Sequence, residues 1–157
     1  MEGKSMNKYP EKLQSVINEL SSIPEEYDRM SLLIDYAEKF RDVPKEIAQK
    51  PFPPEVKVPF CESGVSVFTR MQDNGTMKFY YYIDNPQGIS AQALVSIFQE
   101  TLNGLEPEEI IKIPHDIVYD IFGSSLSMGK NMGLTGILLL MQRDAKKFIE
   151  KKAEVKN

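Results

Sequence analysis

Five prolines, Pro44, Pro51, Pro53, Pro54 and Pro59, fall within sixteen residues in a chain of 157. Each removes a backbone donor and biases its predecessor towards extended geometry. Neither a helix nor a central strand can run through such a stretch, so it is read as an ordered or semi-ordered connector between two differently patterned parts. Before it, Tyr9-Pro10-Glu11 opens a segment in which Leu13, Val16, Ile17 and Leu20 recur at i, i+3, i+4 and i+7, one face of a helix. Pro24 with Glu25 and Glu26 restarts the pattern, because proline suits the first helical turn and acids there oppose the helix dipole. Met30, Leu33, Ile34, Ala37 and Phe40 form a second stripe, and the short link between the two predicts an antiparallel helix pair.

After the prolines the period changes from helical to two. Val65, Val67 and Thr69 alternate with Ser66, Phe68 and Arg70, the mark of a half-buried strand. Met77, Phe79, Tyr81 and Ile83 alternate beyond Asn74-Gly75, a dipeptide that suits a two-residue hairpin turn with positive φ at both central positions. These features predict a β-hairpin over about residues 64–83, with Glu55 to Phe60 as a third, edge strand weakened by Pro59. Asp84-Asn85-Pro86-Gln87-Gly88 breaks the sheet. Ala93, Leu94, Ile97, Phe98 and Leu102 then read as a helix ended by Gly104. A short helix begins at Glu106-Pro107-Glu108-Glu109 and stops at Pro114. A last helix runs from Leu134 to about Val155, with Arg143, Lys146 and Lys147 on its polar side. Strands segregated from helices make an α+β fold: one domain over residues 1–157, core about 10–151, with a small antiparallel sheet and helices packed on one face.

Composition narrows the function. Hydrophobic residues at 41 % suffice to close one core, and charged residues at 27 % mix both signs. A net charge of −4 without a clustered basic surface argues against nucleic acid. The run Phe79-Tyr80-Tyr81-Tyr82, with only Lys78 beside it, is an aromatic strand with one face in the core rather than a base-stacking platform. The longest apolar stretch, Gly133 to Met141, is less than half of the ~20 residues that span a bilayer. The opening MEGKSMNKYPEKL lacks the apolar centre of a signal peptide, so a cytoplasmic protein is expected.

Several chemistries fall away. His115 is the single histidine, and one cysteine with one histidine makes no zinc site. Between Pro114 and Asp116 it reads as a half-exposed residue at a helix start, with a catalytic Cys-His pair as the alternative. The stretch Gly123 to Asn131 has five residues between its glycines and Asn131 after Lys130, so it fails the phosphate-loop pattern and reads as a polar turn. Glu25-Glu26 and Glu106-Glu108-Glu109 stand where helix starts favour negative charge. Cys61 remains, the only cysteine, unable to form an internal disulfide. It is either a small buried hydrophobe or a thiol presented at a loop-to-strand junction after Pro59. No basic residue lies near it in sequence, so activation would have to arrive with a partner that carries electrophilic sulfur.

The stretch Val58-Pro59-Phe60-Cys61-Glu62-Ser63-Gly64-Val65 resembles the active-cysteine motif of SufE-type sulfur acceptor proteins. The likeness extends from about Leu13 to Lys151. It takes in the upstream helix pair with Tyr27, Leu32, Leu33 and Ile34, the segment Asn85 to Ile110, and Lys130-Asn131-Met132-Gly133-Leu134, which is similar to the family's approach to its last helix. The resemblance implies a SufE/IscU-like fold. It also implies a protein that takes persulfide sulfur from a SufS-type cysteine desulfurase onto Cys61 and delivers it to an iron–sulfur scaffold, as an accessory rather than an independent enzyme. Glu62, Ser63 and Lys130 would support or dock, and the chain, monomer or homodimer, would need no cofactor because pyridoxal phosphate belongs to the partner. The alternative is a non-catalytic interaction domain in which Cys61 is only structural. Departures from the family pattern are Phe60 for glycine, Glu62 for glutamine, Ser66 for an aromatic and Lys130 for arginine, whose planar two-pronged contact lysine cannot make. The bulk of Phe60 is expected either to shield the thiol or to change which partner fits.

Overall fold

The structure, a computed structural model, describes residues 8–85 and 88–156. Pro86 and Gln87 of the expected sheet break, and residues 1–7 of the opening segment, lie outside them. The first stripe becomes α1 (Glu11–Ser21), which buries Leu13, Val16, Ile17 and Leu20. The second becomes α2 (Glu26–Glu38), which buries Leu33, Tyr36 and Ala37 and leaves Met30 and Ile34 partly exposed. Its inward face is rotated towards Tyr36 because α1 and α2 do not form the expected pair; both pack chiefly against α3 (Ile89–Thr101). That central helix is surrounded: Ala93, Leu94, Ile97 and Phe98 are wholly buried.

The hairpin lies where the alternation placed it. Strand β1 (Val65–Met71) pairs antiparallel with β2 (Met77–Ile83), in register from Val65 opposite Ile83 to Met71 opposite Met77. The turn differs from the expected two-residue form. Gly75 N donates to Gln72 O at 3.0 Å and Gln72 N donates to Thr76 O at 2.7 Å. Gly75 alone takes positive φ, 84°, in a three-residue loop. Asn74 is held otherwise because its Oδ1 accepts from Thr76 N at 3.1 Å and from Thr76 Oγ1 at 2.6 Å.

Val65, Val67, Met77, Phe79, Tyr81 and Ile83 face the core. There α3 covers β2, and the long helix α6 (Met128–Lys156) covers β1. The helices thus occupy one face, completing the α+β arrangement. The other face is strapped by the proline-rich segment: the Phe52 ring sits edge-on to Phe68 at 4.9 Å and to Tyr82 at 5.2 Å. The expected edge strand is not formed. Pro54–Val56 makes a 3₁₀ turn, and the segment touches β1 through the single bridge of Lys57 to Ser66, with Val58 N donating to Val65 O at 2.9 Å. Consecutive prolines before it and Pro59 after it leave too few donors for a ladder. The far edge is closed as well, by Val43 N on Tyr81 O at 2.8 Å and by Asn103 Oδ1 accepting from Phe79 N at 2.9 Å.

Between α3 and α6 lie α4 (Pro107–Ile110), with a reciprocal cap between Glu106 and Glu109, and α5 (Ile117–Phe122), whose N-cap Asp116 directly follows His115 at the expected helix start. Helix α6 begins at Met128, earlier than Leu134, because Ser127 caps it: its Oγ accepts from Lys130 N at 3.1 Å and its carbonyl from Asn131 N at 2.9 Å. Lys130 and Asn131, read as a polar turn, therefore belong to the first turns of this helix. No helix among the described residues is long and apolar enough to cross a membrane.

Candidate functional site

Cys61 begins a tight turn at the open end of the hairpin. Gly64 N donates to Cys61 O at 3.0 Å, closing the turn Cys61-Glu62-Ser63-Gly64. The ladder then continues past β1 and β2: Asp84 N donates to Gly64 O at 3.0 Å and Asn85 N to Ser63 O at 2.9 Å. Gly64 is required twice over. Its φ is 68°, and a β-carbon there would stand 2.8 Å from the Asp84 side chain. The turn is thus an extension of the sheet rather than a free loop.

Helix α6 supplies the second support. A β-carbon at Gly133 would lie 2.9 Å from Phe60 O and 3.1 Å from Cys61 Cα, and one at Gly136 would lie 2.8 Å from Val58 Cγ1. The chain from Val58 to Cys61 therefore runs across a notch in α6 that only residues without side chains leave open. Cys61 itself is partly buried and packs against the core, while Glu62 beside it is exposed. Cys61 is thus fixed through its backbone, by the turn to Gly64 on one side and by the close approach of Gly133 on the other.

Phe60 does not shield it. The residue is 89 % exposed and takes a left-handed backbone with φ 59°, a conformation that favours glycine. The ring stands off the surface while the next residue packs inward. Met132, the chain neighbour of Gly133, and Met128, one turn earlier on the same flank, are also exposed, at 61 % and 81 %.

The structure brings Cys61, Glu62 and Ser63 into one turn. It sets Lys130, exposed, one helical turn before Gly133 at the same end of α6. Ser63 is placed by its backbone, and its hydroxyl lies so close to Gly88 that any side chain at 88 would displace it. His115 belongs elsewhere. Its Nε2 meets Gln142 Oε1 at 2.8 Å, and Gly133 and Gln142 are separated by about 13 Å of helix axis. Gln142 is in turn buried and donates through Nε2 to Ile113 O at 2.9 Å and Ile110 O at 3.1 Å, so His115 serves the joint between α4 and α6. The positioning residues missed by sequence reasoning are Gly88 and Gly136, while Gly133 entered only within the stretch Lys130 to Leu134; the spacing Gly133-Leu134-Thr135-Gly136 inside an apolar helix was the signal available. Among the described residues no group of three His, Cys, Asp or Glu is arranged to hold a metal ion.

Comparison with known proteins adds two findings. A family model described as SufE, Fe-S metabolism associated domain, matches residues 14–145. The fold is similar to the solution structure of a hypothetical protein from Thermus thermophilus, with a TM-score of 0.71 and 21 % identity, covering 90 % of this chain and 98 % of that one. The search of curated proteins gives no match.

Proposed function

The chain belongs to the SufE family of Fe-S metabolism associated domains, and from that premise we propose that Cys61 accepts and carries sulfur in transit to iron–sulfur clusters. The donor is the persulfide of a pyridoxal-phosphate cysteine desulfurase, and the recipient is a cluster scaffold. The Cys61 thiolate attacks the outer sulfur of the donor persulfide. A Cys61 Sγ–S bond forms, the donor's S–S bond breaks, and the donor leaves as a thiolate that takes up the proton Cys61 gave away. The sulfane sulfur moves without net oxidation or reduction.

One observation supports this reading above the rest: Cys61 is fixed to the sheet end and to α6, yet is only partly buried. Its isolation also suits a carrier, because a loaded persulfide meets no second cysteine in its own chain with which to close a disulfide. Such a free thiol fits the reducing cytoplasm. Glu62 and Lys130, both exposed beside the turn, are the docking residues, and Ser63 holds the turn to Asn85.

Incubation with a cysteine desulfurase and L-cysteine should add about 32 Da per sulfur to Cys61, read by mass spectrometry of the peptide. Cys61→Ser should abolish the adduct and leave the fold intact. No adduct on the folded wild-type protein would return Cys61 to a packing role.

A further inference from the structure

We propose that Phe60 selects the sulfur donor: its ring enters an apolar recess of the donor protein and closes the transfer site around Cys61. The inference rests on Cys61 being the acceptor. Among the described residues Phe60 is the only one other than glycine with positive φ, and it is 89 % exposed. A bulky residue in the left-handed region is strained, and strain that persists points to a role outside the folding of the chain itself. The ring recovers none of this strain, because it is 89 % exposed and it is the Phe60 carbonyl that faces Gly133. The left-handed backbone holds Cys61 on the helix and leaves the ring projecting next to it.

The occupant follows from the chemistry of the neighbouring residue. A protein that brings its terminal sulfur to bonding distance of Cys61 must cover the residue joined to it, so the ring is buried in that complex and in no other state. Met132 and Met128 extend the apolar surface along α6, with the conformational latitude that lets methionine fit an irregular wall. A small persulfide can reach Cys61 without touching Phe60. The residue therefore favours a protein donor with an apolar recess beside its persulfide over diffusible sulfur donors, and once seated it keeps water from the exchanging sulfur.

Phe60→Gly and Phe60→Leu are compared with wild type, using two donors: a cysteine desulfurase with L-cysteine, and glutathione persulfide. Loading of Phe60→Gly by the desulfurase should fall at least about tenfold at low concentration, through a higher KM, as expected for loss of one buried aromatic contact. Loading by glutathione persulfide should stay within about twofold, and Phe60→Leu should recover most of the desulfurase reaction. Unchanged loading of Phe60→Gly by the desulfurase, or an equal loss with both donors, overturns the inference and leaves the acceptor role of Cys61 standing. Failure of wild type with both donors overturns that role, and this inference with it.

Discussion

Gly133 and Cys61 meet backbone to backbone: a β-carbon on the glycine would come within 3.1 Å of Cys61 Cα and 2.9 Å of the preceding carbonyl oxygen. Alanine at 133 is a better helix former, by about 1 kcal/mol, but the displaced atoms are main chain and overpacking costs about 1–3 kcal/mol. Gly133→Ala should therefore destabilise the protein and speed alkylation of Cys61 by iodoacetamide as the turn lifts from α6. Gly129→Ala, on the same helix with nothing within 4 Å, is the control and should stabilise by about 0.5 kcal/mol. Urea midpoints and the alkylation rates check both.

The left-handed backbone at Phe60 gives a stability prediction separate from its binding role. Relief of the β-carbon clash is offset in part by the added freedom of glycine in the unfolded chain. Phe60→Gly should be more stable than wild type by about 0.5–1 kcal/mol in urea unfolding. A loss of stability would mean that the ring makes contacts within its own chain.

His115 and Gln142 should separate cleanly. Gln142→Leu strips partners from buried carbonyls of Ile110 and Ile113 and should cost about 2–3 kcal/mol. His115→Ala removes only the exposed partner of that amide and should cost under about 1 kcal/mol. Sulfur loading of His115→Ala should equal wild type in the mass-spectrometric assay, since the ring sits far along α6 from Cys61; lost loading would point to a Cys-His enzyme.

The clamp between the start of α1 and α5 contributes to the pH response, alongside the burial that raises Tyr81 and Tyr36. Tyr9 OH donates to Asp120, and Lys8 Nζ bonds Asp116 at 3.0 Å and Asp120 at 3.1 Å. Burial, then the hydrogen bond to Asp120, raises the Tyr9 hydroxyl well above its ordinary 10.0. A raised group gives stability that is full below the unfolded value and lost as pH climbs past it, so the protein should weaken above pH 10. On the acid side, the hydrogen bond from Lys8 lowers Asp116 from its ordinary 3.8, and that contribution is lost as pH falls below this value. Tyr9→Phe should cost about 1–2 kcal/mol at pH 7 and flatten the alkaline decline in a pH series of melts.

The periodicities before and after the prolines determined most of the framework: the buried stripe of Leu13, Val16, Ile17 and Leu20, the hairpin with Phe79 and Tyr81 inward, and Cys61 at the junction leading into β1. Side chains at a regular spacing announce their own burial, so these were legible residue by residue. Tertiary structure alone decided that α1 and α2 lean on α3, that the stretch Glu55 to Phe60 makes one bridge at Lys57 rather than a strand, that α6 starts at Met128, and that Gly133 receives Cys61. Such choices turn on the close approach of backbones distant in the chain, where the deciding feature is a missing side chain or a single capping hydroxyl, and neither leaves a period to read.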